Sequence, residues 1–585
     1  MASPRLKQWF TILEWLPNAR GRQLQDDLLA GVITALLLVP QGMALALLAG
    51  LPPVVGLYAG ILPPLVYAIF GTSRTLAVGP VSVAALLVAN ALGGLGAEPG
   101  STEWLHGAVQ LAAMSAALLL IMGLLRLGEL ANFLSHPVLS GFTSGAAVVI
   151  IVSQLPQLTG IPLPGDANLL TQLYTLIIGI PQLSLGPVLF GGGSLALLWL
   201  ARHSLVRWLA RMGISPRLAL VASRAAPLVI VLGATGVSAL GGHGLPGLSL
   251  VGDIPRGLPM PSLGFLGGDG WRELLPAALV ISLVGYVESV SVARVLAWRR
   301  RERVDPNQEL IALGAANAGA ALTGTMPVAG GFARSMVNFE AGARTQLAGV
   351  ITAVLVALAA LLFTPVFRYL PLAVLAAVII VAVIPLIDVH ALKAAWRFDK
   401  ADGTALGVTF LGVVLVDIEL GLVFGLAVSL GVFLWRTGHP HAAVVGRVPG
   451  TEHFRNVDRH NVETWPHLLL LRVDESLYFA NTAILEQAVA ARVAEQPELR
   501  HVVLVCSAVN RIDFSALETL EQLADNLSRS GITLHLAEVK GPVMDRLRGS
   551  GLLDAMGGGR IFLSSEEAVE YLGTRVPPKP ESTGD

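Results

Sequence analysis

The segment Val328–Ser335, which reads VAGGFARS, places two adjacent glycines and one arginine within an otherwise apolar stretch. This pattern predicts a membrane helix that breaks at the glycines and a second helix that begins just after them. A break at membrane depth is tolerated only where the freed backbone groups face protein or a water-filled cavity. The new helix start carries unpaired N–H groups and about half a positive charge, which together favour an anion.

A second break of the same kind lies at Ala77–Ser82, which reads AVGPVS. Glycine and proline can also simply kink or pack membrane helices, and a single break would favour that interpretation. Discontinuous helices at corresponding positions of two halves are instead the usual sequence indication of a transporter site near the membrane midplane. The two breaks, with Arg334 beside one of them, therefore predict a binding site between two helix starts.

Three polar side chains lie deep in apolar segments and are candidates for this site. Arg334 would cost about 2.5–3.5 kcal/mol at the membrane centre, so we expect it to face an anion, a carboxylate or water. Glu288 is a candidate for coupling to protons or sodium, because burial favours the neutral form of a carboxyl group; it could instead pair with Arg334 or be purely structural. Gln41 could hydrogen-bond a substrate or only pack helices. Three residues near segment ends are expected to be structural: His136, Asn317 and Asn338.

Apolar runs recur through the first three-quarters of the chain, and each approaches the ~20 residues that cross ~30 Å of hydrocarbon. We predict fourteen segments, several too short for a full crossing, at 28–50, 54–70, 79–95, 105–125, 138–158, 186–202, 225–241, 273–294, 308–325, 331–341, 345–363, 371–388, 403–417 and 420–435. A helix outside the membrane is expected at 169–183. The fold class is therefore an α-helical polytopic membrane protein.

Basic residues cluster in three predicted loops, near 202–224, 299–303 and 393–400, whereas 96–104 and 159–168 contain acids and no basic residue. Because cytoplasmic loops are enriched in lysine and arginine, we expect both termini to be cytoplasmic. The polar start of the chain has no cleavable apolar core and is interpreted as an interfacial lead-in.

The composition changes after Arg436, where charges become dense and apolar runs shorten. Strands are predicted at 467–473, 501–507 and 533–538, and helices at 482–495, 515–529 and 541–551. Strands that alternate with helices at this spacing predict a small α/β domain. We predict four divisions of the chain. They are a lead-in (1–27), a membrane domain (28–436), a cytoplasmic α/β domain with its linker (437–576) and a disordered tail (577–585).

The overall composition excludes several classes of protein. Of the 585 residues, 54% are hydrophobic and 14% are charged, whereas a soluble domain carries about a quarter charged residues. The net charge of −1 gives no basic signature for nucleic acid, and the single cysteine, Cys506, excludes a disulfide framework and is typical of a reducing compartment. We find no nucleophile–base arrangement, metal-ligand spacing or Walker-type loop, so we predict neither an enzyme nor a bound cofactor.

Several motifs resemble the sulfate-permease (SulP) family, the bacterial relatives of the solute carriers that include prestin and pendrin. Pro40–Ala44 (PQGMA) and Leu51–Tyr58 (LPPVVGLY) resemble its first-helix signature, and a longer match covers 305–345. Near the C-terminus, Leu477–Asn481 (LYFAN) and Asn510–Leu517 (NRIDFSAL) resemble a STAS domain. The matches occur in family order over nearly the whole chain.

This resemblance implies two intertwined inverted repeats of seven helices, with helices 1–4 and 8–11 as a transport core and helices 5–7 and 12–14 as a gate. It implies an anion between the starts of helices 3 and 10, and elevator-like alternating access. The substrate-binding residues that it implies are Gln41, Leu45, Gly79, Pro80, Val81, Ser82, Gly331, Phe332, Ala333 and Arg334. Glu288 and Ser291 would serve ion coupling. Many relatives have a serine where this chain has Ala333, so the choice of substrate cannot be transferred.

The STAS-like part raises a question of regulation. Ser515 resembles the phosphorylated serine of anti-sigma-factor antagonists and is a candidate regulatory phosphosite, where a cytoplasmic partner would bind. The alternative is a domain that only stabilises a homodimer, with Arg511 and Asp513 shaping the loop.

The leading hypothesis is a secondary active transporter of a small inorganic oxyanion, with sulfate favoured, that works by proton symport in the bacterial cytoplasmic (inner) membrane. Sodium-coupled bicarbonate or dicarboxylate uptake and channel-like anion conduction are the alternatives. A membrane-anchored signalling scaffold is a further class, but a mere anchor does not require an intramembrane Arg334.

Overall fold

The computed structural model describes residues 9–96, 98–129, 135–162, 169–267 and 270–573. The chain forms two compact units, Met1–Ser429 and Leu430–Asp585. The tail predicted at 577–585 lies outside the described residues.

Among the described residues, the part of the chain before residue 439 is mainly helical. Its helices are α1 (Ile12–Trp15), α2 (Arg22–Leu48), α3 (Pro53–Tyr58), α4 (Leu62–Phe70), α5 (Ser82–Gly93), α6 (Thr102–Leu124), α7 (His136–Thr159), α8 (Leu169–Ile178), α9 (Leu185–Arg211), α10 (Pro216–Ala239), α11 (Trp271–Arg300), α12 (Pro306–Leu322), α13 (Phe332–Glu340), α14 (Leu347–Leu362), α15 (Leu372–Val383), α16 (Val389–Phe398), α17 (Lys400–Leu415) and α18 (Ile418–Gly438). Within the described ranges, nine helical stretches are long and apolar enough to cross a membrane.

Each of the fourteen predicted segments coincides with one of these helices or with the pair α3 and α4, which confirms the predicted polytopic fold. Residues 389–398 are a correction, because they form α16 where a basic loop is predicted. The Asp388 side chain caps this helix by accepting a hydrogen bond from the Ala391 N–H at 2.8 Å. The helix is short and carries Lys393 and Arg397 on its polar face, so no long apolar run marks it.

The two helix breaks meet in a short antiparallel ladder. Strand β1 (Val78–Gly79) pairs with β2 (Ala329–Gly330), with Val78 opposite Gly330 and Gly79 opposite Ala329. β1 leads into α5 and β2 leads into α13, each the third predicted segment of its seven-segment half. The antiparallel approach of equivalent segments is the arrangement that inverted repeats produce.

The membrane helices pack in two groups. In the first group, α6 packs against α11 and α12, and both α2 and α4 pack against α14. In the second group, α7 packs against α15 and α17, and α9 also packs against α15. These groups correspond to the core and the gate that the sequence resemblance implies. Helix α2 also contacts α10 and α15 of the second group, so it lies at the boundary.

A close crossing of α2 and α3 explains two glycines of the quoted motifs. A Cβ on Gly56 would lie 1.9 Å from the carbonyl oxygen of Gly42, and a Cβ on Gly42 would lie 2.9 Å from the carbonyl oxygen of Gly56. Small residues at such positions let two helix backbones approach closely. The motifs PQGMA and LPPVVGLY therefore meet in space.

The second unit is a six-stranded sheet flanked by helices. Its strands are β3 (Ala442–Arg447), β4 (Phe454–Asn456), β5 (Leu468–Val473), β6 (His501–Val505), β7 (Thr533–Ala537) and β8 (Ile561–Phe562), in the spatial order β4-β3-β5-β6-β7-β8. Strands β5 to β8 are parallel, and β3 is antiparallel to both neighbours. Its helices are α19 (Thr482–Glu495), α20 (Phe514–Arg529), α21 (Gly541–Leu547), α22 (Leu552–Ala555) and α23 (Ser565–Gly573).

The predicted α/β domain is thus present, but three of its strands are not among the predictions. β4 and β8 have only three and two residues, which is too short for a periodic pattern. β3 begins four residues after the end of α18, within the stretch predicted as the linker of the cytoplasmic domain.

Candidate binding site at the paired helix breaks

The β1–β2 ladder brings the first turns of α5 and α13 together. The N-cap residues are Val81 and Gly331, and within the described part of the chain neither helix start receives a side-chain capping bond. A Cβ on Gly331 would lie 3.2 Å from Cγ1 of Val81, so the two caps are neighbours. First-turn N–H groups of two helices therefore converge at one place, which is the chemistry of an anion site.

Arg334 is the third residue of α13, and its side chain is buried next to both helix starts. It is 2% exposed, and its Nη1 donates a hydrogen bond to the carbonyl oxygen of Pro80. A Cβ on Gly79 or Gly331 would lie 3.4 Å from its Nη2, so both glycines make room for the guanidinium. Its Nε and Nη2 are buried without a hydrogen-bond partner among the described residues. The arginine therefore adds a fixed positive charge to the potential of both helix starts.

A cavity of about 490 Å³ reaches the site from the boundary between the two helix groups. Phe332, Ala333 and Gln41 form its wall on one side, and residues of α9, α10 and α15 form the opposite wall. Gln41 Oε1 is buried without a partner within the described ranges. Leu45 is 1% exposed in the hydrophobic core and lies outside the cavity wall. Some of the predicted binding residues therefore line the cavity, whereas others, such as Leu45, are buried outside its wall.

The backbone part of the predicted site is mostly buried. Gly79, Pro80 and Val81 are buried, and Ser82 is partly exposed at the start of α5. Arg334 is buried behind the ladder, whereas the cavity wall carries its neighbours Phe332 and Ala333. Arg334 is expected to face an anion, a carboxylate or water; in the structure its charge lies behind the cavity wall and near the carboxyl group of Glu288. The binding roles of all these residues stay predictions.

Glu288 of α11 faces the start of α13. Its buried carboxyl group lies near the guanidinium of Arg334 and the backbone N–H of Phe332. Its Oε2 is buried without a hydrogen-bond partner among the residues described. One buried acid thus lies beside the start of α13.

Ser289, which the sequence does not single out, holds the ladder in place. Its Oγ accepts a hydrogen bond from the Gly330 N–H at 2.8 Å. Ser291, the predicted coupling residue, lies two residues further on and therefore about 200° around the helix, on a different face. Its ion-coupling role stays a prediction.

Two residues of α13 anchor the segment before β1. The buried Oγ of Ser335 accepts a hydrogen bond from the Ala77 N–H at 2.9 Å, and Nδ2 of Asn338 donates to the carbonyl oxygen of Thr75 at 3.0 Å. These bonds link the two broken helices across more than 250 residues of sequence.

Asn317 anchors the segment before β2. Its amide donates to the carbonyl oxygen of Val328 and accepts from the N–H of Val328, both at 2.9 Å. Asn317 and Asn338 thus make structural contacts, whereas His136 is the exposed first residue of α7.

Glu309 is a second buried acid that the sequence does not single out. Its carboxylate accepts hydrogen bonds from the Tyr67 hydroxyl at 2.8 Å, from the Thr72 N–H and hydroxyl at 2.7 and 2.6 Å, and from the Ser73 N–H at 3.0 Å. It positions the turn that leads to β1. A carboxylate within the apolar helix α12 is the signal that could have identified it.

In the second unit, Ser515 is exposed in the first turn of α20. Asp513 caps this helix by accepting from the Ala516 N–H at 2.8 Å, and its other oxygen accepts from the Phe479 N–H at 3.0 Å. Asp513 therefore joins the two segments that resemble a STAS domain. The regulatory role of Ser515 stays a prediction.

The chain resembles known proteins over almost its full length. Residues 24–409 match the sulfate permease family, and residues 459–568 match the STAS domain. The chain is 36% identical to sulfate transporter 4.1 (chloroplastic) of Arabidopsis thaliana over 97% of its own length and 83% of the relative. It is 31% identical to high affinity sulfate transporter 2 of Stylosanthes hamata over 98% of its own length and 87% of the relative.

The fold is also that of a solved structure. The structure of SLC26A9 superposes with a TM-score of 0.86 at 25% identity, covering 97% of this chain and 93% of that one. The resemblance to this structure therefore includes both the helical part and the C-terminal domain.

Proposed function

The chain belongs to the sulfate permease family, and from this premise we propose that it carries sulfate across a membrane by proton-coupled symport. Members of this family transport anions and are not enzymes, so the chain is a multi-pass membrane protein that transports a small inorganic anion. Sulfate, the proton and the mode of movement are the parts that we propose.

One observation carries the proposal. Two uncapped helix starts meet across the β1–β2 ladder next to the buried charge of Arg334, and the start of α13 lines a cavity of about 490 Å³. An oxyanion in the cavity would accept hydrogen bonds from N–H groups of the α13 start and from the Gln41 side chain, and the neighbouring start of α5 would add its positive potential. Fixed N–H donors bind a compact anion without a bound metal.

The position of Glu288 supports coupling to a proton. An ionised Glu288 would hold the Phe332 N–H and place a negative charge beside the anion. Protonation would remove this charge and release the N–H toward the anion. Proton and sulfate would therefore bind cooperatively, and binding of each would favour the other by the same factor.

The packing supports an elevator-like movement of the core. The core helices carry both helix starts, Arg334 and Glu288, whereas α9, α10 and α15 supply only the opposite cavity wall. A shift of the core past the gate would carry the assembled site with it and expose it to the other side of the membrane.

The substrate is tested with purified protein in liposomes. Labelled sulfate, bicarbonate, chloride and fumarate are supplied with an inward proton gradient, with an inward sodium gradient, or with neither. We expect sulfate to accumulate above its equilibrium level only with the proton gradient. Preferred uptake of another anion, or accumulation driven by sodium alone, would contradict the proposal.

The coupling residue is tested with Glu288→Gln, because glutamine imitates the protonated carboxyl group but cannot release a proton. We expect this variant to exchange internal for external sulfate but to lose proton-driven accumulation. Glu273→Gln, which removes an exposed acid from the first turn of the same helix, is the matched control and should behave like the unsubstituted chain. Unchanged proton-driven uptake by Glu288→Gln would refute the coupling role.

Sodium-coupled uptake of bicarbonate or a dicarboxylate, and channel-like conduction, are the competing proposals. Conduction predicts currents that saturate weakly and no accumulation against a gradient, so the same liposome experiment separates it from symport.

We further propose that the protein is a homodimer of the bacterial inner membrane, with both termini cytoplasmic and with a cytoplasmic partner that binds near Ser515. Crosslinking in native membranes and protease protection of each terminus test the assembly and the orientation.

A further inference from the structure

Two arginines of the gate helices lie in the wall of the 490 Å³ cavity, opposite Gln41 and Ala333. Arg202 is in α9 and Arg224 is in α10, and both side chains are partly open to solvent. Neither belongs to the paired helix breaks, and their role is not explained by the binding site described above.

The contacts of the two arginines differ in charge. Arg202 Nη1 donates to the backbone carbonyl oxygen of Val381 at 3.0 Å, a neutral acceptor. Arg224 Nη2 forms an ion pair with Glu340, and the side chains of this pair are 35% and 40% exposed. These three side chains together carry a net positive charge at the mouth of the cavity, which raises the local concentration of anions.

The ion pair also joins the two helix groups. Arg224 belongs to the gate helix α10, whereas Glu340 is the last residue of α13 in the core. A partly exposed ion pair is weak, about 0–1 kcal/mol, so an incoming anion can replace its carboxylate. A tetrahedral oxyanion with two charges offers the guanidinium the same paired acceptors as a carboxylate, and a stronger attraction.

We propose that Arg202 and Arg224 form a second oxyanion site at the mouth of the cavity, with Glu340 as the exchangeable counter-ion of Arg224. The ligand is a tetrahedral divalent anion such as sulfate. The anion binds there before it passes to the helix starts, and Arg224 returns to Glu340 after the anion has moved on. This inference rests on the proposed anion transport.

Sulfate transport kinetics in right-side-out and inside-out membrane vesicles test the site, because a site at the mouth of the cavity should affect binding from one side of the membrane only. We expect Arg224→Gln to raise the KM for sulfate about tenfold from the side that the cavity faces, with little change from the other side. Glu340→Gln should lower that KM several-fold, because it leaves Arg224 without a competing carboxylate. Arg224→Lys, which keeps the charge but loses the forked donor, should have an intermediate KM.

Arg207→Gln is the matched control. Arg207 lies on the same helix as Arg202, but its exposed side chain donates to the carbonyl oxygen of His203 and is not part of the cavity wall. Its removal should leave both KM values unchanged. An equal effect of Arg207→Gln and Arg224→Gln would overturn the proposal, because it would show a general surface-charge effect.

Binding at the mouth can also be measured without transport. Val206 lines the cavity, and the single native cysteine is buried, so Val206→Cys provides one reactive thiol. Sulfate, but not gluconate, should slow labelling of this thiol by a charged maleimide, and Arg224→Gln should abolish the protection. Protection that survives in Arg224→Gln would overturn the mouth site. Absence of sulfate transport by the unsubstituted chain would instead refute the proposed function.

Discussion

Replacement of Gly56 by alanine tests the close crossing of α2 and α3. The added Cβ would lie 1.9 Å from the carbonyl oxygen of Gly42, where ordinary van der Waals contact begins near 3.4 Å. The two backbones must therefore separate locally by about 1.5 Å in a close-packed interior. Overpacking of this kind lowers the free energy of unfolding by about 1–3 kcal/mol. Because Gln41 adjoins Gly42, the shift should also weaken sulfate uptake.

Gly407→Ala is the control for this prediction, because it makes the same chemical change in helix α17. A Cβ at Gly407 meets no atom within 4 Å, and alanine favours a helix over glycine by about 0.5–1 kcal/mol. The two variants should therefore move the stability in opposite directions, which differ by about 1.5–4 kcal/mol. The assay is the fraction of detergent-purified protein that remains monodisperse after heating, with sulfate uptake measured in parallel. A Gly56→Ala variant as stable as the unsubstituted chain, or a Gly407→Ala variant equally destabilised, would refute the reasoning.

Three further predictions concern buried polar groups. Ser335→Ala should lower the free energy of unfolding by about 1–3 kcal/mol, because the N–H of Ala77 loses its buried acceptor. Ser291→Ala is the control and should have little effect in the same heating assay. Burial, with a smaller contribution from Glu538, raises the pKa of the Cys506 thiol to about 12, so the folded chain should not react with maleimide at pH 7.5, and labelling before unfolding would contradict this. Burial, with smaller contributions from His501 and Arg560, lowers the pKa of His535 to about 4 from an ordinary 6.5. The neutral imidazole accepts a hydrogen bond from the Arg560 N–H at 3.0 Å, so stability should be full above about pH 6.5 and fall as the pH drops toward 4. Hydrogen exchange of β7 in the full chain, corrected for its intrinsic pH dependence, should become faster over this interval, and His535→Gln should flatten the change.

Local patterns were sufficient to predict the helical fold and the location of the candidate site. The fourteen apolar segments follow from composition alone, since a helix that crosses a membrane must be apolar over its length. The two glycine-centred breaks identify where helices restart, because backbone breaks at that depth require a special environment. The structure adds that the breaks pair through β1 and β2.

Contacts between distant residues could not be predicted from local patterns. Glu309 receives its donors from residues 236 to 242 positions away, and no property of its own segment indicates them. The choice between Ser289 and Ser291 depends on the rotation of α11 toward the ladder, which the apolar pattern leaves open because both faces of that helix are largely apolar. The contact of Gly42 with Gly56 likewise depends on how two helices cross.

Under the proposed function, the position of Arg334 would link anion binding to anion release. An arginine in the cavity wall would form a direct ion pair with sulfate, and a tightly held anion would leave slowly. Arg334 instead bonds to the Pro80 carbonyl oxygen and lies against Gly79 and Gly331, so we expect its charge to keep the same place when an anion binds. Such a preorganised charge stabilises the anion without any rearrangement of the site. The helix-start N–H groups would then make the direct contacts, and transport would require these contacts to be strong enough to capture the anion but weak enough to let it leave. In this arrangement a serine at position 333 would add a hydroxyl donor, so we expect Ala333→Ser to slow the release of the anion.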